Sequence, residues 1–202
     1  MLSLLLASAL QLPTSTETTA RHLLRGMKFE TEEQTAAARA SLWINAKGKV
    51  RDCKLIGFVG DEIIAKRMCE KIIGARFSPA IDRDGNAAYS MFTTVLGASG
   101  GSVHRSGTGM NWLKGNGSLA DVVVSVESMP KELAWNPLIE LNVLIDGAGS
   151  IVACEAGEYR KPEWVRAACN QATAQVFEER ASDQGLPISY VRNIGVKFEL
   201  SR

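Results

Sequence analysis

Cysteine and histidine have the widest chemical range of any residues in this chain, which holds four Cys and two His. The cysteines are spaced as C-x15-C (Cys53, Cys69) and C-x14-C (Cys154, Cys169). Zinc knuckles leave roughly two to four residues between ligands, so these spacings point away from a metal. A nucleophilic thiol needs a base beside it, and His22 and His104 both fall outside the cysteine-bearing segments. No C-x-x-C redox motif occurs. Two readings remain: a disulfide within each segment, or pairs of buried free thiols.

Other catalytic sets are missing from the sequence. There is no G-x-S-x-G, P-loop, HExxH or paired-carboxylate motif. Gly107 and Gly109 lack the strand–helix setting of a dinucleotide site, and Asp82 and Asp84 read as turn residues before Gly85. Trp112 and Trp135 suit either an exposed contact or a packed lead-in segment. The expectation is a protein that is not an enzyme and uses neither cofactor nor metal.

The elements around the cysteines repeat. ASLWINAKGKVRDCKL (40–55) and IELNVLIDGAGSIVACEA (139–156) each give an alternating apolar run, a glycine turn, a second run and a cysteine. Gly48 and Cys53 precede Gly149 and Cys154 by 101 residues, and Cys69, Phe77 and Gly85 precede Cys169, Phe177 and Gly185 by 100. Self-similarity of this kind marks a duplicated unit.

In the first copy, 42–46 and 50–57 read as a hairpin around Lys47 and Gly48. A helix follows from Asp61 to Ile73, with a stripe of Ile64, Met68 and Ile72 and a stop at Gly74; Asn86 to Leu96 then reads as a strand. In the second copy, strands 139–145 and 150–156 precede a helix opened by Pro162, with a buried stripe of Val165, Cys169, Ala172 and Val176. Val191 to Leu200 reads as its last strand. The predicted class is α+β: two ββαβ repeats, each a small antiparallel sheet packed on one helix.

A helix packed on the second strand brings Cys53 to Cys69 and Cys154 to Cys169, so the repeat favours these two disulfides. Each closed loop would stabilise a small domain by about 3 kcal/mol.

Outside the repeats, 14–38 reads as a polar, helical lead-in, and 99–118 as a Gly/Ser-rich linker. Val122 to Val126 reads as an extra strand leading into a second domain at 119–202. Leu2 to Leu10 is a short apolar run, and Ala7-Ser8-Ala9 fits a small-x-small cleavage pattern. Residues 1–13 therefore read as a signal peptide, cut after residue 9. No stretch reaches the roughly 20 apolar residues of a membrane span. Hydrophobic residues at 46%, charged residues at 22% and a net charge of +1 fit a folded domain with no overall basic field for nucleic acid. The copies differ in charge: 38–98 holds ten Lys/Arg and six Asp/Glu, a net of +4, and 137–202 holds seven and nine, a net of −2.

WINAKGKVRDCKL, a helix, and then ARFSPAIDRDGNAA resemble the C-terminal domain of TonB. Arg76, Phe77, Pro79, Ala80 and Gly85 match that family's motif before the last strand. The likeness is good over 38–98 and weaker over 137–202, where Glu179 and Arg180 replace Pro-Ala. Physically, Phe77 would plug the helix–sheet core, Pro79 fix an extended exit and Gly85 allow the turn.

The resemblance implies a Gram-negative periplasmic protein that contacts a periplasmic or outer-membrane protein, such as a TonB-dependent transporter, by pairing an edge strand with it. It places that contact on Ala88–Leu96 and Val191–Leu200, with Tyr89, Met91, Thr93, Val95, Val196 and Phe198 as candidate residues. A structural envelope protein associated with peptidoglycan and a truncated energy transducer are the alternatives.

Overall fold

The computed structural model describes residues 9–14, 27–31, 34–99, 120–129, 131–134, 137–156 and 161–201. Most of the signal segment, the linker beyond Ser99, residues 15–26, Trp112, Trp135, His22 and His104 lie outside them. The described chain is mixed α+β. It falls into two compact units. One, the α1 unit, named for helix α1 (Glu62–Ile72), holds Pro13–Pro79 and Ser90–Ser118; the other, the α3 unit, named for helix α3 (Pro162–Ala172), holds Met1–Leu12, Ala80–Tyr89 and Leu119–Arg202.

In the α1 unit, β1 (Thr35–Ile44) lies between β2 (Val50–Gly60) and β4 (Ala87–Ser99), antiparallel to both; β4 contributes its residues from Ser90 onward. Helix α1 (Glu62–Ile72) packs on one face of these strands. Asp61 caps it, its carboxylate accepting from Ile63 N–H at 2.8 Å and Ile64 N–H at 3.0 Å. The expected stripe of Ile64, Met68 and Ile72 is buried against Ala36, Ala38, Ala40, Leu42 and Ile44. Phe77 packs at the margin of that cluster.

Two expectations are corrected here. The lead-in helix over 14–38 does not extend through its described part: residues 27–31 are irregular and β1 already begins at Thr35. Alanines are strong helix formers, but Ala36–Ala38 are held on both sides by β2 and β4, and tertiary pairing overrides local preference. β2 also continues past Gly57 to Gly60, through a bulge opposite Arg39 and Ala40.

In the α3 unit, β6 (Leu138–Ile145) lies between β7 (Ile151–Ala156) and β8 (Tyr190–Leu200), antiparallel to both. The strand expected at 122–126 forms as β5 (Val122–Val126) and runs parallel to β8. A four-residue helix, α2 (Lys131–Ala134), precedes β6. Helix α3 (Pro162–Ala172) opens on its proline and buries Ala168 and Ala172. Val176 does not continue the stripe: the helix stops at Ala172, and Val176 is 79% exposed beyond the turn.

The short strand β3 (Ala80–Ile81) pairs with the start of β4, at Ala87 and Ala88. Residues 10–12 and this hairpin cover Leu144, Ala153 and Val191.

Candidate functional site

Four hairpin turns are closed by one device. Asn45, Asp82, Asp146 and Ser182 each accept, through a side-chain oxygen, from the backbone N–H groups two and four residues on, at 2.8–3.3 Å. The fourth residue is always a glycine at positive φ: Gly48, Gly85, Gly149 and Gly185. Asp82 is thus a turn residue, as expected from its neighbours. At Gly48 and Gly149 the turn does more, because the chain beyond the helix crosses it. Phe77 N–H donates to Gly48 O, and Phe177 N–H to Gly149 O, both at 2.8 Å. A Cβ on Gly48 would lie 2.0 Å from Phe77 O, and one on Gly149 2.2 Å from Phe177 O.

The cysteines pair as the repeat suggests. Cys53 on β2 bonds Cys69 on α1 with Cα atoms 5.5 Å apart, and Cys154 on β7 bonds Cys169 on α3 at 5.9 Å. No free cysteine is left, so thiol chemistry is absent while the bonds stand. Disulfides of this kind belong to oxidising compartments. Among the described residues, no group of three or more His, Cys, Asp and Glu is placed to hold a metal, and no helix is long and apolar enough to cross a membrane.

The six candidate binding residues lie on β8 and β4, in different settings. Val196 and Phe198 are buried, at 0% and 4% exposure, because β8 is flanked by β6 on one side and β5 on the other. Tyr89, Met91, Thr93 and Val95 are half-buried on β4, where Met91, Thr93 and Val95 face Trp43, Ser41 and Arg39 of β1. Within the α3 unit β8 is an inner strand and β7 lies at an edge, and within the α1 unit β2 lies at an edge beside β1. Strand positions are local in sequence, whereas the neighbours that cover Val196 and Phe198 come from β5 and β6.

β2 is 11 residues long, and among the described strands it pairs only with β1. Its first half carries Arg51, Asp52 and Lys54, charges of the kind that discourage indiscriminate edge pairing. Its second half exposes Ile56 at 38% and Phe58 at 40%. Exposure alternates through KLIGFVG although polarity does not, so the residue types alone carry no signal for this edge. β7 is six residues long, and its exposed apolar residue is Val152.

A second candidate is the seat of residues 10–12 in the α3 unit. Gln11 exchanges two backbone hydrogen bonds with Ile81, each 3.0 Å, as an added strand would. Leu10 N–H donates to Glu155 Oε2 at 2.9 Å, and Asn142 Nδ2–H to Leu10 O at 3.4 Å. Arg83 pairs with the other carboxylate oxygen, Nε to Oε1 at 3.5 Å. Leu10 is 4% exposed. Read as the tail of a signal peptide, this segment gave no hint of a packing role.

The α1 unit also has an open concavity of about 630 Å³ with Met27 and Phe29 in its wall and Glu30, Arg67, Glu70 and Lys71 around it. Both charge signs line it, so it offers no focused field for a charged ligand. Tyr190 is fully buried and donates its hydroxyl to Glu178 O at 2.8 Å. Burial pushes the phenol above its ordinary value, partly offset by the Arg192 and Arg180 charges. That is a structural hydrogen bond.

Comparison of the chain with protein-family models, curated proteins and solved structures finds no match.

Proposed function

We propose that this chain is a non-enzymatic exported protein with tandem TonB-like ββαβ repeats, which binds an extended segment of a periplasmic or outer-membrane protein by strand addition. The observation that carries the reading is β2: outermost, 11 residues long, paired with β1 alone among the described strands, and exposing Ile56 and Phe58. A bare backbone edge supplies hydrogen bonds to an added strand, and apolar side chains along it supply grip.

The order β1-β2-α1-β4 followed by β6-β7-α3-β8, with a cysteine clamp in each, supports the duplicated fold. Gln11 paired to Ile81 is a precedent for strand addition within the chain itself. The two disulfides favour an oxidising compartment, and the TonB likeness favours the periplasm of a Gram-negative bacterium.

Titration of isotope-labelled, oxidised protein with N-terminal peptides of TonB-dependent transporters tests this by NMR. Amide shifts confined to 50–60 are expected, with loss of binding in Phe58→Asp. Peptides that leave β2 unmoved, or that bind Phe58→Asp equally well, would refute the reading.

A further inference from the structure

The strap of residues 10–12 ends at a peculiar contact. The backbone nitrogen of Leu10 points at a carboxylate, Glu155 Oε2, at 2.9 Å, while the neighbouring Ala9 is exposed. Asp61, Asp82 and Asp146 also accept from backbone N–H groups, but to close caps and turns within four residues; Glu155 reaches Leu10 from 145 residues away, and a carboxylate holds an ammonium more strongly than a neutral amide. The bond between Ala9 and Leu10 is also the one that Ala7-Ser8-Ala9 marks for a protease selecting small residues.

We propose that the chain is cut between Ala9 and Leu10 and that the new α-ammonium of Leu10 is held by Glu155, making this contact a seat for the mature N-terminus. The inference rests on the proposed export. The step is hydrolysis by a signal-peptidase-class protease: water adds across the amide, its oxygen leaves on the Ala9 carboxylate, and the Leu10 nitrogen becomes an ammonium. Leu10 is buried in the folded unit, so the cut precedes folding.

The seat is already built for the shortened chain. Leu10 fills a cluster with Ala80, Ala153 and Val191, Asn142 holds its carbonyl, and Gln11 pairs with Ile81. Glu155 has an oxygen for each cation, Oε2 for the ammonium and Oε1 for Arg83. Ala9, on the leaving side of the bond, is exposed.

Two measurements test the two halves separately. The mass of full-length protein expressed with export in a Gram-negative host and recovered from the periplasm should correspond to a chain starting at Leu10; a mature start elsewhere overturns the cleavage. Second, protein prepared to begin at Leu10 is treated at neutral pH with an amine-acylating reagent, which attacks only the uncharged amine. Reaction at Leu10 should be slower than in Glu155→Gln by about tenfold or more, one pKa unit being tenfold in the reactive form. Arg83→Gln should keep the protection, which separates loss of the carboxylate from loosening of the fold. Equal acylation in the parent and Glu155→Gln overturns the seat, whatever the export measurement gives.

Discussion

A methyl group added at Gly48 would meet the Phe77 carbonyl oxygen at 2.0 Å, on a backbone already at φ 74°. Gly48→Ala should therefore cost on the order of 3 kcal/mol, strain and displaced main chain together, with Gly149→Ala alike. Gly185 has the same sign of φ but open space around its Cβ direction, so Gly185→Ala should cost about 1–2 kcal/mol. Urea unfolding of the three variants checks the order. Tyr190 makes a prediction in pH. Its raised pKa means that ionisation opposes the folded state, so the contribution is intact below the ordinary value of 10.0 and is lost as pH rises through the folded value. Tyr190→Phe should lower stability near neutrality by about 1 kcal/mol, by leaving Glu178 O without its donor, and should flatten the alkaline loss. Urea midpoints across the alkaline range measure both.

At the scale of elements, each helix is tied to the strand it covers by one disulfide, over sequence separations of 16 and 15 residues. Replacing Cys53 and Cys69 together by alanine should cost about 3 kcal/mol, chiefly by freeing the unfolded chain, with a similar loss for the Cys154 and Cys169 pair. Thermal unfolding of the two double variants, without and with reductant, checks this; reductant should lower each variant further by removing the surviving clamp. These elements were legible because their signals are local: a glycine turn between alternating runs, Asp61 before a helical stripe, Pro162 at a helix start. Where neighbours decide, the sequence spoke less clearly. Ala36–Ala38 favours a helix alone and becomes a central strand between β2 and β4. Val176 fits the helical period but lies past the point where the helix ends. Val196 and Phe198 alternate as an edge strand would, and are covered because β5 returns beside them.

For the whole molecule, the units are not segments of sequence. Ala80–Tyr89 belongs with Leu119–Arg202, although the repeat boundary assigns it to the earlier copy. No local pattern records that Leu10, Ala80 and Ala88 pack with Ala153, Val191 and Leu144, since such contacts join residues far apart in the chain. A fragment ending at residue 99 should therefore expose Leu10, Ala80 and Ala88, bind a hydrophobic dye strongly and self-associate, while the full chain does neither; fluorescence and sedimentation compare them. The candidate interaction strand was hidden for the same reason, as being outermost is a property of the assembled strands. The four glycine turns, finally, offer a spectroscopist an internal calibration. Lys47, Asp84, Ala148 and Gln184 occupy the same turn position, all exposed, on the same hydrogen-bonded frame. A reporter group placed at each would start from one backbone geometry, so any difference between the four signals would measure surroundings rather than shape.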